Sequence, residues 1–159
     1  TVSAYLLAQI EAGVDAVQLF DSWVGALCAR DYREFVLPHS KKIIEAVKES
    51  GVPVIHFGTG TSTLLEAMAD AGSDIIGVDW RIPLDDAWTR IGKNRSIQGN
   101  LDPTLLLGPV ERMLDGANEI LRRAGNRPGH IFNLGHGILP ETPVENVQAL
   151  VDFVHTRSS

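Results

Sequence analysis

"VPVIHFGTGTSTLLEAMADAGSDIIGVDW", residues 52–80, holds one whole structural unit. The apolar, β-branched run at its start fits a strand buried in a parallel sheet. Glycines and threonines follow as a turn, and Thr63 with Glu66 has the spacing of a capping box. Leu64, Leu65 and Met68 then belong to a helix that Gly72 stops. "DIIGVDW" (74–80) is a second apolar run of the strand type. Strand, helix, strand is the building order of a parallel α/β protein.

The same alternation extends in both directions. "TVSAYLLAQIEAG" (1–13) reads as a helix with Val2, Tyr5, Leu6 and Ile10 near one face and Gly13 as its stop. "DAVQLFDS" (15–22) is a strand, and a helical region follows from about Arg30 to Ser50. Pro38 divides that region in two, since proline is tolerated only in the first turn of a helix. Downstream, Pro83 opens a helix that turns Leu84, Ala87, Trp88 and Ile91 inward and ends at Gly92. "SIQGNLD" (96–102) is a short, weaker strand. Val110, Met113, Leu114, Ala117, Ile120, Leu121 and Ala124 hold the helical period until Gly125. "GHIFNLG" (129–135) is the last strand. Thr142, Pro143 and Glu145 give an N-cap, a first-turn proline and an N3 acid for a helix carrying Val144, Val147, Val151 and Val154.

Five strands alternating with helices in 159 residues make one α/β domain, 1–159, with a mainly parallel sheet. Two architectures fit. A five-strand doubly wound parallel sheet is complete at this length. A (β/α)8 TIM barrel needs roughly 250 residues, so about five βα units make a partial one. The opening at Thr1, already inside a helical pattern, favours the partial barrel and the later part of a longer chain. Strand order separates the two: sequential neighbours for a barrel, a reversal for a doubly wound sheet.

The composition excludes several classes. The net charge is -6 with both signs interspersed, so no basic surface for nucleic acid is expected. No apolar run is long enough to span a bilayer, so no membrane segment is expected, and the opening residues show no signal-peptide pattern. Cys28 is the only cysteine, which rules out an internal disulfide and a Cys-rich metal site and suits a reducing cytoplasm.

Parallel α/β proteins gather function at the carboxyl ends of their strands. Those ends carry Asp21 and Ser22, Gly58 to Gly60, Asp79 and Trp80, Asn100 and Asp102, and His136. "GTGTST" (58–63) could cradle a phosphate on backbone N–H groups, or form a tight turn. It lacks the P-loop lysine and the third glycine of a dinucleotide fingerprint, which favours the turn. Asp21 and Ser22 suit a ligand and a helix cap equally. Asp79–Trp80 and "GNLDP" (99–103) read first as structural. His56 reads as a satisfied core histidine. His136 differs, because Gly135 and Gly137 remove side-chain cover and permit unusual backbone angles, so its imidazole can project into a cleft.

Together "GVDAVQLFDSWVG" (13–25), "RDYREFVLP" (30–38), "GVDWRIPLDDAW" (77–88), "QGNLDP" (98–103) and "GHIFNLGHGILPETPVENVQALVDFVH" (129–155) resemble the uroporphyrinogen decarboxylase family in order and spacing. The resemblance implies the carboxy-terminal part of a (β/α)8 barrel, a cofactor-free carboxy-lyase and a homodimer. Such enzymes remove the four acetate carboxyl groups of uroporphyrinogen III, a polycarboxylate tetrapyrrole, to give coproporphyrinogen III on the route to haem. Ser22 matches the family's substrate-contacting serine, Phe20 an apolar cleft residue, and His136 the cleft histidine that contacts substrate. The aspartate that meets the pyrrole N–H groups, the carboxylate-binding arginines and a tyrosine belong to the family's amino-terminal part, absent from this chain. No catalytic residue is therefore assigned within it, and alone it is expected to be inactive.

A related branch, the corrinoid-dependent methyltransferases that load a thiol such as coenzyme M, shares the fold. Those enzymes bind zinc through a His-x-Cys pair and a later cysteine. Here His56-Phe57-Gly58 lacks the cysteine and "LGHG" carries histidine in the later position, so a paralogue of this kind would have no zinc site. A non-catalytic anion-binding α/β domain is the remaining alternative.

Overall fold

The computed structural model describes residues 1–92 and 94–157. Five parallel strands, β1 (Val17–Phe20), β2 (Val54–Phe57), β3 (Ile75–Gly77), β4 (Ser96–Leu101) and β5 (His130–Leu134), form one sheet in the order β1-β2-β3-β4-β5. Every strand pairs with its neighbour in sequence, so the reversal that a doubly wound sheet requires is absent from the described residues, and that alternative is overturned. The fold is a partial (β/α)8 barrel.

Helices α1 (Val2–Glu11), α2 (Ala29–Phe35), α3 (Leu37–Lys48), α4 (Leu65–Ala69), α5 (Leu84–Ile91), α6 (Val110–Ala124) and α7 (Val144–Arg157) join and flank the strands. Pro38 sits in the first turn of α3, where its missing N–H has no helical partner to lose. Gly72, Gly92 and Gly125 follow the ends of α4, α5 and α6 with positive φ, as their sequence positions suggest.

One contact shows that the sheet is rolled. Gln98 Nε2 on β4 donates to Gln18 Oε1 on β1 at 3.1 Å, although β2 and β3 lie between them. Three strand spacings in a flat sheet amount to roughly 14 Å, too far for two side chains standing upright to meet. The sheet therefore curls as a barrel wall does, with Gln18, Ile55, Ile75 and Gln98 on its concave side. The convex side carries the helices and most of the core. Ile76 and Ile97 pack there with Leu64, Leu65, Met68, Leu84 and Trp88, all at most 2% exposed.

Several local expectations fail for identifiable reasons. The Thr63–Glu66 capping box does not form, because residues 61–63 make a 3-10 turn and Leu64 occupies the N-cap. Glu66 instead takes a two-pronged ion pair from Arg90 on α5. "SIQGNLD" is the longest of the five strands, not a weak one, since β4 pairs on both sides. In α1 only Leu6 is buried, while Val2 and Tyr5 stand exposed at 45% and 65%. In α7 the buried positions are Asn146 and Leu150, and Val144 and Val151 face outward. Asn146 is inward because its Nδ2 donates to the carbonyls of Leu106 and Gly108. Thr142 Oγ1 is buried without a hydrogen-bond partner and so does not cap α7.

Candidate functional site

Ser22, Trp23, Thr59, Trp80, Arg81 and His136 line one open cleft of about 250 Å³ over the carboxyl ends of the strands. Its parts come from the turns after β1, β2, β3 and β5, 114 residues apart at the extremes (136 − 22). Ser22 and His136, chosen from sequence, thus share a wall. Phe20 does not line this cleft. It stands on the concave face of the sheet, 63% exposed, with its ring edge-on to Phe57 at 5.8 Å.

Buried polar groups beneath the cleft fix its loops. Asp21 Oδ2 accepts from Ser40 Oγ on α3 and bonds His56 Nε2 on β2, each at 2.7 Å. Burial alone would raise the Asp21 pKa, but the hydrogen bonds from His56 and Ser40 outweigh it and hold the carboxyl below its usual value. The Asp21 carboxylate is thus turned into the protein, and Ser22 beside it is the residue left facing the cleft. His56 is a core histidine as expected, fully buried, though its Nδ1 has no partner. Tyr32, equally buried, has its phenol pushed up by burial and by the charge of Asp21.

The "GTGTST" loop has the same inward character. Gly60 N donates to Asp79 Oδ2 at 2.6 Å, so an internal carboxylate occupies the donor that a phosphate would need. Thr59 Oγ1 donates to the Ser22 carbonyl and ties this turn to the one after β1. Asp79, 1% exposed, also receives the Arg81 N–H at 3.1 Å and an Arg81 Nη1 bond. Asn100 Nδ2 donates to the carbonyls of Asp79 and Ile82 at 2.8 and 2.7 Å. Asp102 Oδ1 accepts from Thr104 N and Oγ1, capping a short 3-10 turn. The structural readings of Asp79, Asn100 and Asp102 therefore hold.

The glycines around His136 act differently from expectation. Neither has positive φ. A Cβ on Gly135 would lie 2.6 Å from Trp80 N and 3.0 Å from Asp79 Cα, so this residue is small to let two backbones touch. Gly137 has nothing within 4 Å of its Cβ position. His136 is exposed and lines the cleft beside Trp80 and Arg81, in a turn whose Gly135 is packed against the β3 loop.

Sequence reading passed over Arg81. It follows directly on the strand-end pair Asp79–Trp80, and that position was the available signal. Its guanidinium lies 4.2 Å from the centre of the Trp80 ring.

A rolled parallel sheet with a polar, aromatic-lined cleft at the strand carboxyl ends defines a chain of the TIM-barrel class, of which five βα units are present. The family model for uroporphyrinogen decarboxylase (URO-D) matches residues 1–157. The uroporphyrinogen decarboxylase of Carboxydothermus hydrogenoformans is 58% identical over 155 residues, covering 98% of this chain and 44% of that protein. The corresponding protein of Sorangium cellulosum gives the same identity and coverage, and that of Streptomyces coelicolor is 52% identical over 157 residues. The chain belongs to the uroporphyrinogen decarboxylase family, and it spans about 44% of the length of these curated relatives. Among solved structures, a thiamine phosphate pyrophosphorylase from Pyrococcus furiosus overlays 97% of the chain with a TM-score of 0.45 and 12% identity.

Proposed function

We propose that this chain is the carboxy-terminal part of a uroporphyrinogen decarboxylase, a cofactor-free, cytoplasmic homodimer that converts uroporphyrinogen III to coproporphyrinogen III. The supporting observation is identity of 58% over 98% of the chain with proteins of that name. Convergence of Ser22 and His136 on one cleft agrees with it. So do the open sheet, where β1 and β5 each pair on one side only, and the exposed Phe20 and Ile131 on its concave wall. No helix among the described residues is long and apolar enough to cross a membrane.

In this reaction a pyrrole carbon takes up a proton, and the resulting cationic ring accepts the electron pair released as the acetate carboxylate leaves as CO2. A second proton then completes the methyl group, and the ring carbon gives up the first to restore the pyrrole, so that one proton is consumed for each CO2 released. The protein's task is to hold a polyanion and stabilise a cationic ring. Ser22 Oγ and the His136 imidazole supply hydrogen bonds to substrate carboxylates at the cleft, and Phe20 supplies an apolar face. The acid that meets the pyrrole N–H groups comes from the remainder of the barrel, so this chain alone carries out no turnover.

A test uses the full-length enzyme. His136→Asn and Ser22→Ala are each expected to lower kcat/KM for coproporphyrinogen formation about tenfold, roughly 1.4 kcal/mol of transition-state stabilisation. His136 is exposed and Ser22 half-buried at the open cleft, so the melting temperature should stay within about 2 °C of wild type. Wild-type yields from both variants would remove these residues from the site.

A further inference from the structure

We propose that Arg81 is a preorganised clamp for one carboxylate of the substrate, a role that rests on the decarboxylase reading above and adds a residue to its site. Three contacts restrain the residue before any ligand arrives. Its backbone N–H and its Nη1 both bond the Asp79 carboxylate, and its guanidinium lies over the Trp80 ring. Asp79 cannot follow it outward, because that carboxylate is 1% exposed and also holds Gly60 N. The Arg81 side chain nevertheless remains half exposed, on the wall that it shares with Ser22 and His136.

A guanidinium has five N–H donors in one plane. Nη1 gives one of them to Asp79, leaving most of the fork for a planar acceptor. Holding an arginine in place beforehand removes most of the ordering cost that a free side chain would lose on binding. Arg81 is the one permanent cation on this cleft wall among the described residues, whereas Arg90, Arg122 and Arg123 are engaged with Glu66, Glu119 and Asp85 on the helices. The rest of the wall includes the indoles of Trp23, 90% exposed, and Trp80. Flat aromatic faces beside a carboxylate fork match an aromatic ring bearing a short acidic arm, which describes each pyrrole of the proposed substrate.

The experiment compares Arg81→Gln and Arg81→Lys with wild type in the full-length enzyme. Two readouts are used: steady-state decarboxylation of uroporphyrinogen III, and binding of the stable octacarboxylate uroporphyrin followed by tryptophan fluorescence. Arg81→Gln should raise KM and the uroporphyrin Kd at least tenfold while kcat falls no more than threefold. Arg81→Lys should recover only part of the loss, because lysine restores the charge without the fork. The salt dependence of uroporphyrin binding should flatten in Arg81→Gln. If wild type decarboxylates and both variants match it in KM and Kd, the clamp is overturned while the decarboxylase reading survives. If wild type binds uroporphyrin without decarboxylating uroporphyrinogen III and Arg81→Gln weakens that binding tenfold, the decarboxylase reading fails and the clamp stands. Should Arg81→Gln fail to fold, Arg81→Lys decides: wild-type KM, Kd and salt dependence would overturn the proposal.

Discussion

Gly135→Ala is expected to destabilise the protein by about 3 kcal/mol, the upper end of what overpacking usually costs. The added methyl would sit 2.6 Å from Trp80 N, 2.9 Å from Trp80 Cε3 and 3.0 Å from Asp79 Cα. Two of these atoms are backbone and cannot step aside by changing rotamer. The β5 turn would have to lift, weakening the bond from Gly135 N to the Leu101 carbonyl, 2.7 Å in the native protein. His136 would move with it, so under the proposed function decarboxylation by the full-length protein should fall by more than tenfold, beyond the loss from His136→Asn. Gly137→Ala is the control. Its Cβ meets nothing within 4 Å and its φ is ordinary, so it should change stability by no more than about 0.5 kcal/mol. Urea denaturation of the two variants measures both effects, and equal midpoints would show that Gly135 makes no such contact.

Asp21→Ala should cost about 2–4 kcal/mol, because removing one partner leaves other buried polar groups without theirs. Ser40 Oγ would lose its acceptor, and fully buried His56 would lose the bond at Nε2 with Nδ1 already unpartnered. The charge contribution has a definite pH window. The folded pKa of Asp21 lies below its usual value of 3.8, so the unfolded chain takes up the proton first as pH falls. Its stabilisation is complete above the unfolded pKa and disappears as pH drops through 3.8 toward the folded value. The stability gap between wild type and Asp21→Asn should accordingly narrow steeply as pH falls below about pH 4. A gap that widened in acid would contradict the direction of the shift.

Periodicity and punctuation made most of the fold legible. Four of the five strands were found from apolar runs, β4 being read as a weak one, and glycines with positive φ mark the ends of α4, α5 and α6 where the sequence has them. Caps were less legible, because they depend on competition between partners. Glu66 has the spacing of a capping residue, yet Arg90, distant in sequence, offers it two charged hydrogen bonds. The inward face of α7 was not legible because Asn146 is polar, and only the carbonyls of Leu106 and Gly108 explain its burial.

Within the site, sequence located the strand ends and therefore Ser22 and His136, since alternating strands and helices in a parallel sheet leave little freedom in where loops gather. It also carried the family, because five motifs in fixed order and spacing resemble one known pattern. Sequence could not decide which neighbours face inward. Asp21 and Ser22 are adjacent and both polar, but Ser40 and His56 claim the carboxylate from elements that are remote in the chain. Nor could it show that Gly135 serves a close approach to Trp80 instead of an unusual backbone angle, or that Arg81 is braced by Asp79 beside His136. Those facts depend on the curl of the sheet, seen in the contact between Gln18 and Gln98. A local pattern sets strand and helix through backbone geometry, but the curvature that brings four separate turns around one cleft is a property of the whole packed sheet.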